Sequence, residues 1–169
     1  MIGNDIRETL QRVCSNLNKH TVDYMIVGGV AVGYYGYTRI SAIASHRPEL
    51  KTDLDFWYKP TIENFTKLCR SLEALGISKE TLDEIVFDPQ KTFLKIPHKH
   101  FHTDFLPQMK GLDSYNDSKK RATKLDLDGN DLHIISYNDL LLNKKAVSRE
   151  IDSSDIRELK KRNEGKSLT

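Results

Sequence analysis

Val22-Asp23-Tyr24-Met25-Ile26-Val27-Gly28-Gly29-Val30-Ala31 is the stretch on which the reading of the fold turns. Residues 22–27, short and largely apolar, predict a buried strand. The strand runs straight into Gly28-Gly29 and a short helix through Tyr35, which Gly36 stops. Two glycines at a strand-to-helix turn let the backbone approach a ligand closely, and the helix N-terminus offers unpaired N–H groups to an anion. A glycine pair also serves tight strand–helix packing, so the feature needs company before it means phosphate.

That company lies in Asp53-Leu54-Asp55-Phe56-Trp57-Tyr58, a second strand ended by Lys59-Pro60. Side chains two apart on a strand share a face, so Asp53 and Asp55 converge while Leu54 and Phe56 face the core. Two like charges so placed repel unless a cation sits between them. Hard divalent ions such as Mg²⁺ take carboxylate oxygens, often together with substrate phosphates. The strand is otherwise strongly apolar and aromatic, which sets the pair at a cleft and not on open water. A third carboxylate, Asp104, stands in His102-Thr103-Asp104-Phe105-Leu106, where burial is costly unless it is paired or metal-bound. If that strand neighbours the Asp53 strand, three carboxylates meet beside a glycine-lined helix terminus. Such a site suits two-metal phosphoryl chemistry: one ion holds a triphosphate, and a second lowers the pKa of a hydroxyl held near Asp104.

Outward from this centre the chain alternates helices and strands. Ile6, Leu10, Val13, Cys14 and Leu17 make one helical stripe over residues 4–18. Thr61 is an N-cap for a helix carrying Phe65, Leu68, Cys69, Leu72 and Leu75, closed by Gly76, and Ser78 caps a further short helix through about Ile85. Residues 92–96 and 102–106 read as a hairpin around His98-Lys99-His100; residues 123–127 and 131–135 read as another around Asp128-Gly129. Ser136 and Asp139 have capping-box spacing and open a helix through about Val147, and a last helix runs from about Ser154 to Asn163. Residues 38–51 show no sustained period, and a loop of that length inside a compact domain is functional or mobile. The result is a mixed α/β (α+β) chain built on one sheet.

Composition narrows the class. The 169 residues are 30% charged and 38% hydrophobic, enough apolar content for a core. Apolar runs of only a few residues fall far short of the roughly 20 a membrane helix needs, and no signal pattern opens the chain. Cys14 and Cys69 read as reduced core residues, which points to the cytoplasm. Net charge is +2, too small by itself to mark a general nucleic-acid binder. Residues 140–169 hold eight Lys/Arg against five Asp/Glu, and a run such as Lys160-Lys161-Arg162 reads as a solvated helix face. His98, His100 and His102 invite zinc, but the turn breaks their common face and they read as an exposed hairpin tip. Asp126 to Asp131 lacks the glycine and glutamate of a calcium loop and reads as a turn. Trp57 and Tyr58 read as core; Tyr34, Tyr35 and Tyr37 lie near the glycines.

Val27-Gly28-Gly29-Val30-Ala31, Arg39, Thr52-Asp53-Leu54-Asp55-Phe56-Trp57, Asp104-Phe105-Leu106 and the stretch from Leu140 to Leu159 together resemble the DNA polymerase beta-type nucleotidyltransferase superfamily, in its small toxin-like branch related to the abortive-infection systems. The resemblance covers about residues 22–160. It implies one nucleotidyltransferase domain over 1–169, with a mixed-sheet core at about 22–136 and C-terminal helices at about 137–163. By resemblance, Gly28 and Gly29 shape the turn that receives the triphosphate. Asp53 and Asp55 hold two Mg²⁺ ions, with Mn²⁺ as the alternative. Asp104 completes the second metal site and helps activate the acceptor hydroxyl. Lys145 contacts nucleotide phosphates, with Lys144 as its substitute, while Arg39, Arg149 and Asp155 match family positions without an assigned role. Two departures stand out. Ser41 to Lys51 separate Arg39 from the aspartates, leaving Arg47 and Lys51 as alternatives to it. Val30 stands where many members carry serine.

The expected reaction is transfer of a nucleoside monophosphate from an NTP to an acceptor hydroxyl. The resemblance leaves the acceptor open among a tRNA end, another RNA, a protein side chain and a small polyol. It also implies a neutralising antitoxin partner. The alternative is a catalytically silent nucleotide-binding or protein-interaction module of the same fold.

Overall fold

A computed structural model describes residues 5–36 and 53–164 of the chain. Among the described residues lie seven helices and a six-stranded mixed sheet. In chain order these are α1 (Ile6–Lys19), β1 (Tyr24–Val27), α2 (Gly28–Gly36), β2 (Leu54–Tyr58), α3 (Ile62–Ala74), α4 (Lys79–Asp83), β3 (Leu94–Pro97), β4 (His102–Leu106), α5 (Tyr115–Arg121), β5 (Thr123–Leu127), β6 (Asn130–Ile134), α6 (Tyr137–Val147) and α7 (Glu150–Glu164). The expected irregular segment 38–51, with Arg39, Arg47 and Lys51, lies outside the described residues, as does Tyr37.

The strand order is β3-β4-β2-β1-β6-β5. Three pairs are antiparallel, β3 with β4 and β5 with β6 across short connections and β1 with β2 across residues 28–53, while β2–β4 and β1–β6 run parallel. Asp128 and Gly129 both have positive φ, 52° and 84°, the backbone of the two-residue hairpin turn that the sequence signals. The central strands are buried on both faces. Met25, Phe56, Trp57, Tyr58 and Phe105 are almost wholly hidden.

The helices cover the sheet as their stripes dictate. Asp5 caps α1 by accepting from the Glu8 N–H at 2.9 Å, and Leu10, Val13, Cys14 and Leu17 are buried beneath it. α3 packs Phe65 beside Tyr58 on one face of the sheet. On the opposite face, Tyr115 of α5 meets Trp57 edge to face. Trp57 donates to the Pro107 carbonyl at 3.1 Å, so it is core, as its strand position suggests. Cys14 is buried and Cys69 half-buried, and both are free thiols.

Two features differ from the sequence reading. α5 is an additional helix: its charged run Asn116–Arg121 gives no apolar period, and only Tyr115 and Ser118 are buried. α7 starts at Glu150, four residues before the expected Ser154, because Asp152 turns inward and accepts from the Arg149 N–H at 3.0 Å to close the first turn.

Candidate active site

The parallel register of β2 on β4 decides the site. It places Asp55 directly opposite Asp104, and the antiparallel register of β1 on β2 places Asp55 opposite Val27. Val27 is the last residue before the glycine pair, so the strand pairing delivers two carboxylates to the N-terminus of α2. Gly28 adopts φ +63°, a conformation that costs glycine nothing and other residues strain. A Cβ built on it would collide with the Asp55 carboxylate, so the turn is glycine because Asp55 occupies that space. The Gly29 N–H donates to Asp55.

The electrostatics of the three carboxylates are unsettled. Burial pushes Asp55 up to about 6, and the charges of Asp104 and Asp53 push the same way; Lys144 and the Gly29 N–H pull back only in part. Asp104 is also raised, first by burial and then by Asp53, against the opposing charges of Lys95 and His102. Asp104 Oδ1 is buried and has no hydrogen-bond partner among the described residues. Asp53 is the best satisfied of the three: its Oδ1 accepts from the His102 backbone N–H at 3.0 Å and faces His102 Nδ1 at 3.1 Å.

A second group of charges, from the C-terminal helices, acts on Asp55. Lys144 of α6 is buried and pairs with Asp152 at 3.0 Å and Asp155 at 3.1 Å. Asp152 has no exposed side-chain surface, and Arg149 closes on its other oxygen at 2.8 Å. Burial alone would raise Asp152, but Arg149 and Lys144 hold it at about 2. The lysine whose charge reaches Asp55 is thus Lys144; Lys145, the expected phosphate contact, is exposed one residue further on. The phase was legible in the sequence. Leu140 and Lys144 are four apart, and both are buried with Asp139 and Asn143 on one face of α6.

The remaining sequence candidates fall as follows. Tyr35 spends its hydroxyl on Thr123 and the Ile135 carbonyl, at 2.8 and 2.9 Å, while Tyr34 is exposed. His98 lies 2.7 Å from the Thr103 hydroxyl, and His100 is exposed. His102 is the residue whose place the sequence reading missed: its alternation with His98 and His100 suggested a hairpin tip, yet it touches Asp53. A cleft of about 600 Å³ opens at the other end of β1, between Asn18, Asp23, Lys59, Asn64, Lys119 and His133, away from the carboxylates.

No three His, Cys, Asp or Glu side chains among the described residues stand close enough as they are to hold a metal ion. The donor set itself fits a hard divalent cation. It offers carboxylate oxygens only, one of them buried without a partner, with a repulsion that a positive charge would relieve. Among the described residues no helix is long and apolar enough to cross a membrane.

Comparison with solved structures defines the class of fold. The lincosamide antibiotic adenylyltransferase LnuA, solved bound to lincomycin, superposes with a TM-score of 0.57 at 19% identity, over 89% of this chain and 94% of that one. The antibiotic-resistance factor ANT(2'')-Ia gives 0.53 at 12% identity, over 89% and 80%. An antigenic nucleotidyltransferase-like protein from Paracoccidioides brasiliensis gives 0.50 at 14%, over 94% and 75%. The chain has the nucleotidyltransferase fold, ending in helices, as the sequence resemblance implies. No protein-family model and no curated protein matches its sequence.

Proposed function

We propose that the chain is a Mg²⁺-dependent nucleotidyltransferase that moves a nucleoside monophosphate from an NTP to an acceptor hydroxyl. A bond forms between the acceptor oxygen and the α-phosphorus, the α–β phosphoanhydride bond breaks, and pyrophosphate leaves. The observation that carries this reading is the parallel β2–β4 pairing, which sets Asp55 and Asp104 side by side at the glycine turn with one buried carboxylate oxygen unpartnered. Asp53, Asp55 and Asp104 would hold the cation, two ions in the full complement with Mn²⁺ as the alternative; it would neutralise the triphosphate and acidify the acceptor hydroxyl.

The chain's own groups take the other tasks. The Gly28-Gly29 turn has no side chain to block a triphosphate, and the first turn of α2 faces it with backbone N–H groups. Asp104, whose carboxyl burial pushes upward, would receive the hydroxyl proton. The charge of Lys144 favours the ionised form of Asp55. Lys145, Arg39 and the alternatives Arg47 and Lys51 supply cations for the phosphates.

The likeness to LnuA favours a small polyhydroxylated molecule as the acceptor over a tRNA end, another RNA or a protein side chain. A toxin role with a neutralising partner rests on the sequence resemblance alone. The test is transfer of label from each of four α-phosphate-labelled NTPs, with Mg²⁺, into lincomycin and into a total cell extract. We expect label in one acceptor class with the intact protein and none with Asp53→Ala. Equal labelling by Asp53→Ala would falsify the assignment. Tight NTP binding that ignores both Mg²⁺ and the loss of Asp55 would favour the silent module instead.

A further inference from the structure

The three carboxylates are held in place by different means, and one of those means is a side chain. Asp104 sits inside β4, paired on both sides by β2 and β3. Asp55 sits inside β2, paired by β1 and β4, and takes the Gly29 N–H. Asp53 precedes the first residue of β2. The ladder begins with Leu54 opposite Thr103, so Asp53 falls level with His102, one position beyond the last paired residues. There the Asp53 carboxylate takes the place of a strand partner. The His102 backbone N–H donates to Asp53 Oδ1 at 3.0 Å, and His102 Nδ1 lies 3.1 Å from the same oxygen. A carboxylate oxygen accepts from Nδ1 in the tautomer that carries the proton there. Two donors from one residue therefore grip one oxygen. Each side chain is about one-third exposed, so water competes for the grip but does not replace it.

We propose that His102 is a positioning residue for Asp53: its two N–H groups fix Oδ1 and leave Oδ2 turned out for a divalent cation. This rests on the nucleotidyltransferase reading of the site. The backbone N–H stays whatever residue stands at 102, so the side chain contributes the second donor and the rotamer. Outer partners of metal-ligating groups typically alter metal affinity by about 10- to 100-fold when removed. Asparagine is the conservative replacement, because its Nδ2 can occupy the place of Nδ1. Alanine has no such donor, and glutamine carries its amide one atom too far out.

The experiment is titration of Mn²⁺ onto the full chain in the presence of a non-hydrolysable ATP analogue, with free Mn²⁺ read by its paramagnetic resonance. Wild type, Asp55→Ala, His102→Ala, His102→Asn and His102→Gln would be compared. We expect binding that Asp55→Ala abolishes, a loss of about tenfold or more in His102→Ala and His102→Gln, and affinity within a few-fold of wild type in His102→Asn. Asp55-sensitive binding that His102→Ala leaves unchanged overturns the positioning role while the nucleotidyltransferase reading stands. His102→Asn falling as far as His102→Ala also overturns it, since the donor at Nδ1 would then not matter. If wild type shows no Asp55-sensitive Mn²⁺ binding at all, both the role and the reading beneath it fail.

Discussion

The two ends of β1 carry aspartates in opposite conditions. At its start, Asp23 is pushed up by burial, yet the hydrogen bond and charge of Lys119 and the hydroxyl of Tyr115, both at 2.8 Å, hold it below the ordinary range. Asn64 spans the same corner, accepting from the Asp23 N–H at 2.8 Å and donating to the Asp23 carbonyl at 2.9 Å. At the other end, Asp55 is raised to about 6 and its neighbour Asp104 keeps an oxygen with no partner. Both ends have the backbone of a well-made sheet. They differ in whether the chain supplies the positive charge that its carboxylates need. Where it does, as at Asp23 and again at Asp152, the aspartate is structural. At the glycine turn Lys144, Lys95, His102 and the Gly29 N–H offset the raised carboxyls only in part, a condition that a bound cation would relieve.

That contrast can be broken at several points. The largest effect belongs to Gly28→Ala: the added Cβ meets the Asp55 carboxylate and φ +63° is unfavourable, so label transfer should fall by about 100-fold or more while the protein stays folded at a cost of about 1–3 kcal/mol. Transfer at the wild-type rate would mean that the turn does not shape the site. Next is Lys144→Met, which leaves Asp152 and Asp155 without their shared cation and should cost about 3 kcal/mol by chemical denaturation. Lys145→Met, at the exposed neighbour, should stay within about 0.5 kcal/mol of wild type. A reversal of that order would put the wrong lysine in the core. A smaller effect than at Lys144 is expected at the satisfied end. Asp23→Ala should cost about 1 kcal/mol of stability, because Asp23 is partly exposed and its pair is screened, with transfer nearly unchanged. Loss of transfer in Asp23→Ala without loss of stability would show that the two ends are not distinct.

Much of this was readable in the sequence, for identifiable reasons. The Gly28-Gly29 turn, the Asp53/Asp55 alternation and the Asp128-Gly129 hairpin are local features, fixed by steric rules that act within a few residues. The meeting of Asp55 with Asp104 was only conditional, since strand order is a long-range property and no residue in β2 or β4 announces its parallel partner. α5 went unseen because a helix that buries only Tyr115 and Ser118 has no apolar stripe, although Ser114 and Asp117 mark its cap. That Lys144 and not Lys145 is buried follows from helix phase, which Leu140 supplies. The early start of α7 and the grip of His102 on Asp53 both come from polar side chains turned inward, and hydrophobic periodicity carries no trace of those.

The most direct test of the contrast is stability against pH in metal-free protein, taken as the difference between wild type and Asp55→Asn so that the histidines and the carboxylates remote from Asp55 cancel. A carboxyl raised to about 6 in the folded chain, against 3.8 when unperturbed, binds more protons folded than unfolded between those values, so its ionisation lowers stability as pH rises. From pH 5 to pH 7 wild type should lose about 1 kcal/mol relative to Asp55→Asn, and saturating Mg²⁺ should restore it at pH 7 in wild type alone. A difference that is flat with pH and blind to Mg²⁺ would contradict the account, for it would mean that the carboxylates beside the glycine turn are already satisfied by the protein itself.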